Sequence, residues 1–369
     1  MMKIINIVGA RPNFVKISPL IEEMNKFSHI ESIIVHTGQH YDYNMSKQFF
    51  KDLNIPDPDI HLEIGSGSHA MQTAKIMMGV EGILLREKPD LTLVVGDVNS
   101  TIACALVSVK LNIPVAHVEA GLRSFDRGMP EEINRILTDA ISDYLFVTER
   151  SGMKNLLSEG VSEKKMFFVG NVMIDTLLKY RKQAENTGIL KELGVEDRNY
   201  CLLTLHRPSN VDNQDGLKNI LGAIDEIQRD MLVIFPVHPR TRTRMDEFGM
   251  RDWIDQMKGL KLIHPVSYLE FLGLMNKAQF VLTDSGGIQE ETTVLGIPCL
   301  TLRENTERPV TVEVGTNMVI GTEQKRIIEE SKKLINGCKK GGTIPEYWDG
   351  KAAERIVRIL LREMASEAC

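Results

Sequence analysis

Two short apolar runs, LTLVVGD at residues 91–97 and PVAHVE at residues 114–119, decide the fold class of this chain. Each is a strand-like segment that ends in a carboxylate, and residues 100–110 between them repeat apolar side chains with helical spacing. A strand–helix–strand order of this kind predicts neighbouring parallel strands. Because ligands bind outside the carboxyl ends of such strands, we predict that Asp97 and Glu119 lie at one edge of a sheet and act on a ligand there.

The same alternation continues on both sides of this unit. In the first half, further strands are predicted at residues 4–8, 32–36 and 144–147, and further helices at 14–27 and 70–88. In the second half, strands are predicted at 200–205, 231–237, 261–264, 280–283 and 299–302, and helices at 216–228, 268–277, 288–295 and 323–336. This pattern predicts two doubly wound parallel-sheet α/β domains, in agreement with the two domains expected for 369 residues.

The connecting and terminal segments complete this organisation. Residues 182–198 are charged and polar, and they follow a helix predicted at about 173–182. We expect the domain boundary near this stretch. Apolar residues recur with helical period over 351–367, which predicts a terminal helix that packs on another element.

Composition narrows the class of protein. A net charge of −6 gives no sign of nucleic-acid binding, which usually requires a basic patch. The 5 cysteines are scattered without a Cys-x-x-Cys pair, so neither a zinc site nor a disulfide framework is predicted, and Cys104, Cys201 and Cys299 are expected to be buried thiols. No apolar run approaches the ~20 residues of a membrane span, and no signal-peptide core precedes the first strand. We expect a soluble cytoplasmic protein.

Phosphate-binding signals are present, although the common nucleotide motifs are not. No Gly-x-Gly-x-x-Gly follows a predicted strand and no Walker loop occurs, which argues against dinucleotide hydride chemistry and P-loop phosphoryl transfer. The run SGGIQEE at residues 285–291 instead joins a strand to a helix. Ser285 can cap the helix, and Gly286 and Gly287 allow a ligand close to backbone N–H groups that attract anions. The alternative is a tight strand–helix turn with Glu290 and Glu291 on a solvated face; near a nucleotide, such a carboxylate could accept ribose hydroxyls.

Charged residues elsewhere favour an anionic substrate. Cations near strand ends suit a pyrophosphate, although each could form only a surface ion pair. Arg11 follows the first strand, Lys16 lies at the start of the first helix, and Arg303 and Arg308 follow the last strand. Grouped carboxylates such as Asp97 and Glu119 have their pKa values pushed apart, which separates acid from base roles.

Histidines and a further pair of glutamates add to this set. Glu131 and Glu132 follow Pro130 at a predicted helix start, where the helix dipole alone could explain them. His206 and His238 each end a strand, which favours phosphate contact or proton transfer. His117 and Glu119 could share a metal, but no third ligand follows at useful spacing, so no metal is expected.

Taken together, these motifs resemble a known family. The resemblance rests, in order along nearly the whole chain, on GARP 9–12, TGQH 37–40, GD 96–97, HVEAGLR 117–123, PEEINR 130–135, TLHR 204–207, SGGIQEE 285–291 and ERP 307–309. Together they are similar to the motifs of the non-hydrolysing UDP-N-acetylglucosamine 2-epimerases. The resemblance implies a GT-B fold, with two Rossmann-like domains facing a central cleft: residues 1–170 with the returning helix 351–369, and residues 171–350.

The resemblance also implies an activity and a set of site residues. The reaction is the interconversion of UDP-GlcNAc and UDP-ManNAc without NAD or metal, in a protein that is usually a homodimer. The implied catalytic positions are Asp97, Glu119, Glu131 and His206. The implied UDP-sugar contacts are Arg11, Lys16, Phe271, Ser285, Gly286, Gly287, Glu291 and Arg308, to which the strand-end position of His238 adds a candidate. Three alternatives stay open: a GT-B UDP-sugar glycosyltransferase, a hydrolysing 2-epimerase, and a non-catalytic UDP-sugar sensor.

Overall fold

The chain divides into two compact α/β units. The structure is a computed structural model that describes residues 1–39, 50 and 52–367, without the side chains of Arg11, Ser366 and Glu367. The first unit comprises Met1–Lys179 and Glu346–Cys369, and the second comprises Tyr180–Pro345. None of the helices described is both long and apolar enough to cross a membrane.

The first unit is a parallel sheet covered by helices. Its strands are β1 (Met2–Val8), β2 (Ile30–His36), β3 (Ile60–His61), β4 (Leu91–Val95), β5 (Val115–Ala120), β6 (Tyr144–Val147) and β7 (Met166–Phe168). Its helices are α1 (Arg11–Met24), α2 (His69–Glu87), α3 (Asn99–Lys110), α4 (Pro130–Ile141), α5 (Arg150–Ser158) and α6 (Val172–Ala184), the last of which runs across the boundary between the units. A single 3₁₀ turn covers Glu163–Lys165.

The strand order of this sheet is β3-β2-β1-β4-β5-β6-β7, and every pair is parallel. The chain winds outward from β1 in one direction and from β4 in the other. The loops after β1 and β4 therefore diverge, which creates the crevice where ligands bind in doubly wound sheets. Strands β4, β5 and β6 are buried along their whole length, as expected of parallel strands covered on both faces.

The second unit has the same architecture. Its strands are β8 (Tyr200–Thr204), β9 (Leu232–Pro236), β10 (Leu260–Ile263), β11 (Phe280–Thr283), β12 (Cys299–Thr301) and β13 (Asn317–Val319). Its helices are α7 (Ile189–Leu193), α8 (Pro208–Val211), α9 (Gln214–Asp230), α10 (Pro239–Glu247), α11 (Arg251–Asp255), α12 (Tyr268–Lys277), α13 (Gly286–Leu295), α14 (Pro309–Glu313) and α15 (Gln324–Ile335). The order β10-β9-β8-β11-β12-β13 places its crevice after β8 and β11.

The C-terminal helix α16 (Ala352–Glu367) belongs to the first unit, where it packs on α1. The carboxylate of Asp175, on α6, accepts the backbone N–H groups of Ala352 and Ala353 at 3.1 and 2.7 Å. These are two of the N–H groups that a helix start leaves without an internal partner. These contacts tie the start of α16 to α6.

The structure confirms every predicted strand and helix to within a few residues and corrects some details. Short strands β3, β7 and β13 were not predicted, and α13 begins at Gly286 rather than Ile288. The polar stretch 182–198 contains the short helix α7. The predicted buried thiols Cys104, Cys201 and Cys299 are buried. Residue 40 of the TGQH motif lies outside the described residues.

Candidate active site

The crevice of the first unit contains a buried ion pair. Lys16, in the second turn of α1, contacts the carboxylate of Glu119 through its ammonium group, and both side chains are almost inaccessible. Gly96, which follows β4, makes room for them: a Cβ there would lie 3.0 Å from Lys16 Nζ and 3.4 Å from Glu119 Oε2. The predicted cation and the predicted carboxylate are thus direct partners at the end of β4. Arg11 begins α1, but its side chain lies outside the described residues.

Glu119 has a strained backbone. Its φ of +78° lies in the left-handed region, and the pairing of β5 with β6 shifts register between Val118 and Ala120. The strand therefore does not stop before Glu119, as its sequence suggested, but bulges at this residue. A non-glycine residue in this region costs about 1–3 kcal/mol and is typical of functional sites. The bulge leaves the Glu119 carboxylate beside Lys16 at the crevice.

Asp97 is held from helix α4. Its carboxylate accepts a hydrogen bond from Arg135 at 2.5 Å, and its carbonyl oxygen accepts one from the Asn134 side chain at 2.9 Å. The side chain is 26% exposed, against 5% for Glu119. Because β4 and β5 are adjacent parallel strands, Asp97 just beyond β4 and Glu119 near the end of β5 lie at the same edge of the sheet. Asp97 is the more accessible of the two carboxylates.

Two adjacent glutamates at the start of α4 differ in role. Glu132 is buried and accepts hydrogen bonds from Ser124, Phe125 and Arg135, so it anchors a loop. Burial alone would raise its pKa, but these hydrogen bonds and the Arg135 charge lower it. Glu131 is half-buried, and no hydrogen bond or ion pair to its side chain occurs within the described ranges. Of the two, Glu131 is therefore the one that is available to a ligand.

The crevice of the second unit contains a histidine–aspartate pair. His206 follows β8, Asp284 follows β11, and His206 Nδ1 lies 3.0 Å from Asp284 Oδ1. Asp284 is fully buried and also accepts the backbone N–H groups of His206 and Arg207 and the Asn210 side chain. Burial would raise the pKa of Asp284, but the His206 charge and these donors lower it. An ionised Asp284 keeps the hydrogen on Nδ1 and leaves Nε2 of His206 for proton transfer.

His238 lies near this pair, as its strand-end position predicted. The ring centroids of His206 and His238 are 6.0 Å apart, because β8 and β9 are neighbouring parallel strands. His238 Nδ1 accepts the backbone N–H of Arg240 at 3.2 Å and so caps α10. Part of its role is therefore structural.

The Ser285-Gly286-Gly287 segment forms the start of α13. Ser285 occupies the N-cap position, but its hydroxyl makes no capping hydrogen bond, which corrects the predicted cap. A Cβ on Gly286 would lie 2.7 Å from both Arg308 Nη1 and Glu307 Oε1. The glycine therefore allows a buried guanidinium to approach the helix start. A helix start leaves its first N–H groups without internal partners, and such groups beside a cation are suited to an anion.

Arg308 is fixed by two buried carboxylates. Its Nε lies 2.6 Å from Glu290 and its Nη1 2.6 Å from Glu307, which in turn is paired with Arg303. Arg308 is thus held in one orientation next to Gly286, with its charge shared between carboxylates. Glu290 belongs to this network and not to a solvated helix face.

Glu291 faces a different partner. It is buried and accepts a hydrogen bond of 2.8 Å from Tyr268 Oη at the start of α12. Burial, with a smaller contribution from Glu290, raises the pKa of Glu291 to about 7, although the Tyr268 hydrogen bond opposes the shift. Phe271 lies one turn further along α12 and is half-buried.

The sequence reasoning named Asp284 only as a strand-end residue and Glu290 only as one of two alternatives, and it gave no role in the site to Arg135, Tyr268 or Glu307. Asp284 directly follows a predicted strand, which was a usable signal. Within the part of the chain described, no group of three or more His, Cys, Asp or Glu side chains is arranged to hold a metal ion.

Comparison with known proteins identifies the class. A profile of the UDP-N-acetylglucosamine 2-epimerase family matches residues 22–361, and the chain belongs to this family. It is 50% identical to the UDP-N-acetylglucosamine 2-epimerase of Methanocaldococcus jannaschii over 97% of this chain and 99% of that protein. It is also 42% identical to the UDP-2,3-diacetamido-2,3-dideoxy-D-glucuronate 2-epimerase of Pseudomonas aeruginosa, over 98% of this chain and all of that one.

Solved structures agree. The crystal structure of the M. jannaschii UDP-GlcNAc 2-epimerase, in complex with UDP-GlcNAc and UDP, superposes with a TM-score of 0.92 at 49% identity, covering 98% of this chain and 100% of that one. The predicted fold class, a GT-B fold of two Rossmann-like parallel-sheet domains, is confirmed.

Proposed function

We propose that this chain interconverts UDP-GlcNAc and UDP-ManNAc by inverting carbon 2 of the sugar, without NAD or metal and without releasing the free sugar. The family, and relatives that carry this activity in their names, support the proposal. The observation that carries it is the pair of crevices described above. One holds Asp97 and Glu119, with Glu131 on the helix that contacts Asp97, and the other has a histidine and a helix start beside a buried guanidinium.

The chemistry explains why several acids and bases are needed. The proton on carbon 2 is not next to a carbonyl group, so it is not acidic until UDP begins to leave and carbon 1 gains oxocarbenium character. We propose elimination to a 2-acetamidoglucal and UDP, followed by re-addition with protonation on the opposite face. A base on one face and an acid on the other are therefore required, each worth roughly 100- to 10,000-fold in rate.

We assign proton transfer to Asp97, Glu119, Glu131 and His206. The buried Asp284 supports His206, because an anion on Nδ1 favours the tautomer with a basic Nε2. The Lys16 ammonium balances the charge of the buried Glu119 carboxylate. The Lys16–Glu119 and His206–Asp284 pairs are formed before substrate arrives, which reduces the reorganisation needed during reaction.

We assign UDP binding to the helix start at Ser285, Gly286 and Gly287 together with Arg308. Backbone N–H groups and a clamped guanidinium favour the pyrophosphate and stabilise it as it leaves. We propose that Glu291 accepts ribose hydroxyls, Phe271 contacts the base, His238 contacts the UDP portion, and Arg11 and Lys16 add positive charge.

Product analysis tests the proposal against its alternatives. The protein is incubated with UDP-GlcNAc alone, with UDP-GlcNAc plus candidate acceptors, and with UDP-2,3-diacetamido-2,3-dideoxyglucuronate. We expect UDP-ManNAc from the first incubation. Free ManNAc would indicate a hydrolysing enzyme, and acceptor-dependent release of UDP would indicate a glycosyltransferase. Turnover of only the diacetamido sugar nucleotide would indicate a different substrate. Tight binding of UDP-GlcNAc without any turnover would indicate a sensor.

Variants connect the activity to the residues. We expect Glu119→Gln and His206→Ala to lose most turnover and to keep most UDP affinity, because neither residue is assigned to UDP binding. Unchanged turnover in both variants would contradict the assignment.

We further propose a homodimer in the cytoplasm. An apolar stripe on α2 supports self-association: Met71, Met78 and Leu85 are each more than half exposed and recur every seven residues. Light scattering after size-exclusion chromatography tests the dimer, with Met78→Glu as the variant expected to dissociate it.

A further inference from the structure

His117 is a completely buried histidine that the proposed mechanism leaves unused. It lies in β5, two residues before Glu119, and its side chain is 0% exposed. Nδ1 lies 2.7 Å from Asp139 Oδ1 on α4, and Nε2 lies 2.9 Å from the carbonyl oxygen of Gly96 at the end of β4. Both ring nitrogens are therefore occupied.

The chemistry of the two partners determines how many hydrogens the ring carries. The Gly96 carbonyl can only accept, so Nε2 carries a hydrogen. Asp139 Oδ2 already accepts the backbone N–H of Gly121 at 3.0 Å and lies 2.7 Å from Arg123 Nη1. Burial would raise the pKa of Asp139, but the charges and hydrogen bonds of His117 and Arg123 lower it. The Arg123 guanidinium and the Gly121 N–H favour an ionised Asp139 independently of His117. An ionised carboxylate can only accept, so Nδ1 carries a hydrogen as well and the ring is an imidazolium.

The bond from Nε2 ends at a functionally important peptide group. The Gly96 oxygen belongs to the peptide that joins Gly96 to Asp97, so the direction of this oxygen sets the orientation of the chain entering Asp97. The next carbonyl, that of Asp97, is held by Asn134, and the Asp97 carboxylate is held by Arg135. The same helix thus controls Asp97 at three points, one of them through His117.

The hydrogen bond from His117 Nε2 to the Gly96 carbonyl also affects the position of Glu119. Gly96 has a φ of +69° and makes room for the Lys16–Glu119 pair. Asp139, the other partner of His117, holds the N–H of Gly121 just beyond the bulge at Glu119. His117 and Asp139 therefore join the end of β4 to the bulge of β5, the two segments that present Asp97 and Glu119.

We propose that His117 is a positioning residue: as a buried imidazolium, it bridges Asp139 and the Gly96 carbonyl and so fixes the backbone that presents Asp97 and Glu119. The role in catalysis rests on the proposed epimerase function. The geometry of the bridge does not.

Two substitutions separate the two bonds of the ring. The amide of Gln extends about as far as Nε2, so His117→Gln retains a donor towards Gly96, whereas Asn reaches only as far as Nδ1 and retains the donor towards Asp139. Thr138→Val is the matched control, since Thr138 is buried on the same helix and its hydroxyl has no hydrogen-bond partner among the residues described.

The kinetic measurement is carbon-2 deuterium exchange with UDP-GlcNAc, expressed per folded molecule after circular dichroism. We expect kcat of His117→Asn to fall on the order of 100-fold, since small displacements of reacting groups cost about that much. KM should change little, because the helix start and Arg308, which are assigned to the pyrophosphate, lie in the second unit. His117→Gln should retain roughly tenfold more activity than His117→Asn, about the worth of one hydrogen bond, and Thr138→Val should match wild type.

A spectroscopic measurement is independent of turnover. In protein with ¹⁵N-labelled histidine, the resonances lost in either His117 variant identify this ring in the wild-type spectrum. We expect both nitrogens to be protonated at neutral pH; a neutral ring would overturn the imidazolium bridge. If the wild type is active and both His117 variants have the same kcat per folded molecule as the wild type, the positioning role alone is overturned. An inactive wild type would overturn the proposed function.

Discussion

Replacing Asp284 by asparagine probes the histidine–aspartate pair with almost no change in shape. In the present structure, Oδ2 accepts three hydrogen bonds, at 3.0 Å from His206 N, 2.9 Å from Arg207 N and 3.2 Å from Asn210 Nδ2. The amide oxygen of asparagine can take over all three. Its NH₂ group then faces His206 Nδ1, which must accept, so the ring hydrogen moves to Nε2 and the proposed base is lost.

The magnitudes follow from this geometry. Losing the charge of a buried acceptor and one charge-assisted bond costs about 1–3 kcal/mol in the free energy of unfolding. Losing one positioned acid or base lowers kcat by roughly 100- to 10,000-fold. UDP affinity should change little, because Asp284 does not supply the N–H groups of the helix start.

The stability difference should depend on pH in a defined direction. Because the folded pKa of Asp284 is lowered from 3.8, its ionised form stabilises the wild type above that pH, and this stabilisation is lost as pH falls through the folded value. The difference between wild type and Asp284→Asn should therefore be full at neutral pH and shrink in acid.

The assay combines deuterium exchange, UDP titration calorimetry and urea unfolding. Asp225→Asn is the control, since Asp225 also accepts side-chain hydrogen bonds, but from Trp253 and Gln228 outside the crevice. Wild-type kcat in Asp284→Asn, with UDP affinity also intact, would refute the pairing argument.

Three further perturbations follow from buried groups. Burial raises the pKa of Glu291 from 4.5 to about 7, so between these pH values the unfolded chain loses this proton before the folded protein does and the wild type loses stability. The free energy of unfolding of Glu291→Gln should therefore rise relative to that of the wild type over this range, on the order of 3 kcal/mol. Urea unfolding at pH 5 and pH 8 measures the difference. If Glu291 binds ribose as a carboxylate, the affinity of wild type for UDP-GlcNAc should rise across pH 7 and that of the variant should stay flat; the reverse would contradict the assignment. Gly286→Ala should weaken UDP binding by at least roughly tenfold, because the new Cβ displaces Arg308 at a cost of about 1–3 kcal/mol in binding free energy. An unchanged UDP affinity in calorimetry would argue against the helix start as the UDP site. Asp175→Ala should lower the free energy of unfolding by about 1–2 kcal/mol and make α16 more sensitive to proteolysis. Asp175→Asn keeps one acceptor oxygen, so its loss of stability should be smaller.

The fold was predictable because apolar runs and amphipathic helices alternate throughout the chain. The pattern located every long strand, since buried parallel strands are continuous apolar runs. It did not locate β3, β7 and β13, which have only two or three residues and carry too little pattern. It also placed the start of α13 too late, because glycines favour no regular structure.

The candidate site was predictable in its residue types and not in its pairings. Strand-end positions identified Asp97, Glu119 and His206 without any knowledge of neighbours. The contact of Lys16 with Glu119 spans 103 residues, and nothing in local spacing indicates which distant residue supplies a partner. The bridge through His117 was missed for a related reason: its sequence suggested only an incomplete metal site.

The central claim is that this chain breaks and re-forms the bond between hydrogen and carbon 2 of a UDP-linked N-acetylhexosamine. Incubation with UDP-GlcNAc in deuterated water, followed by NMR of the nucleotide sugars, measures this directly. The account predicts deuterium at carbon 2 together with a manno product still joined to UDP. Unlabelled UDP-GlcNAc recovered after long incubation, with no manno sugar, would contradict it.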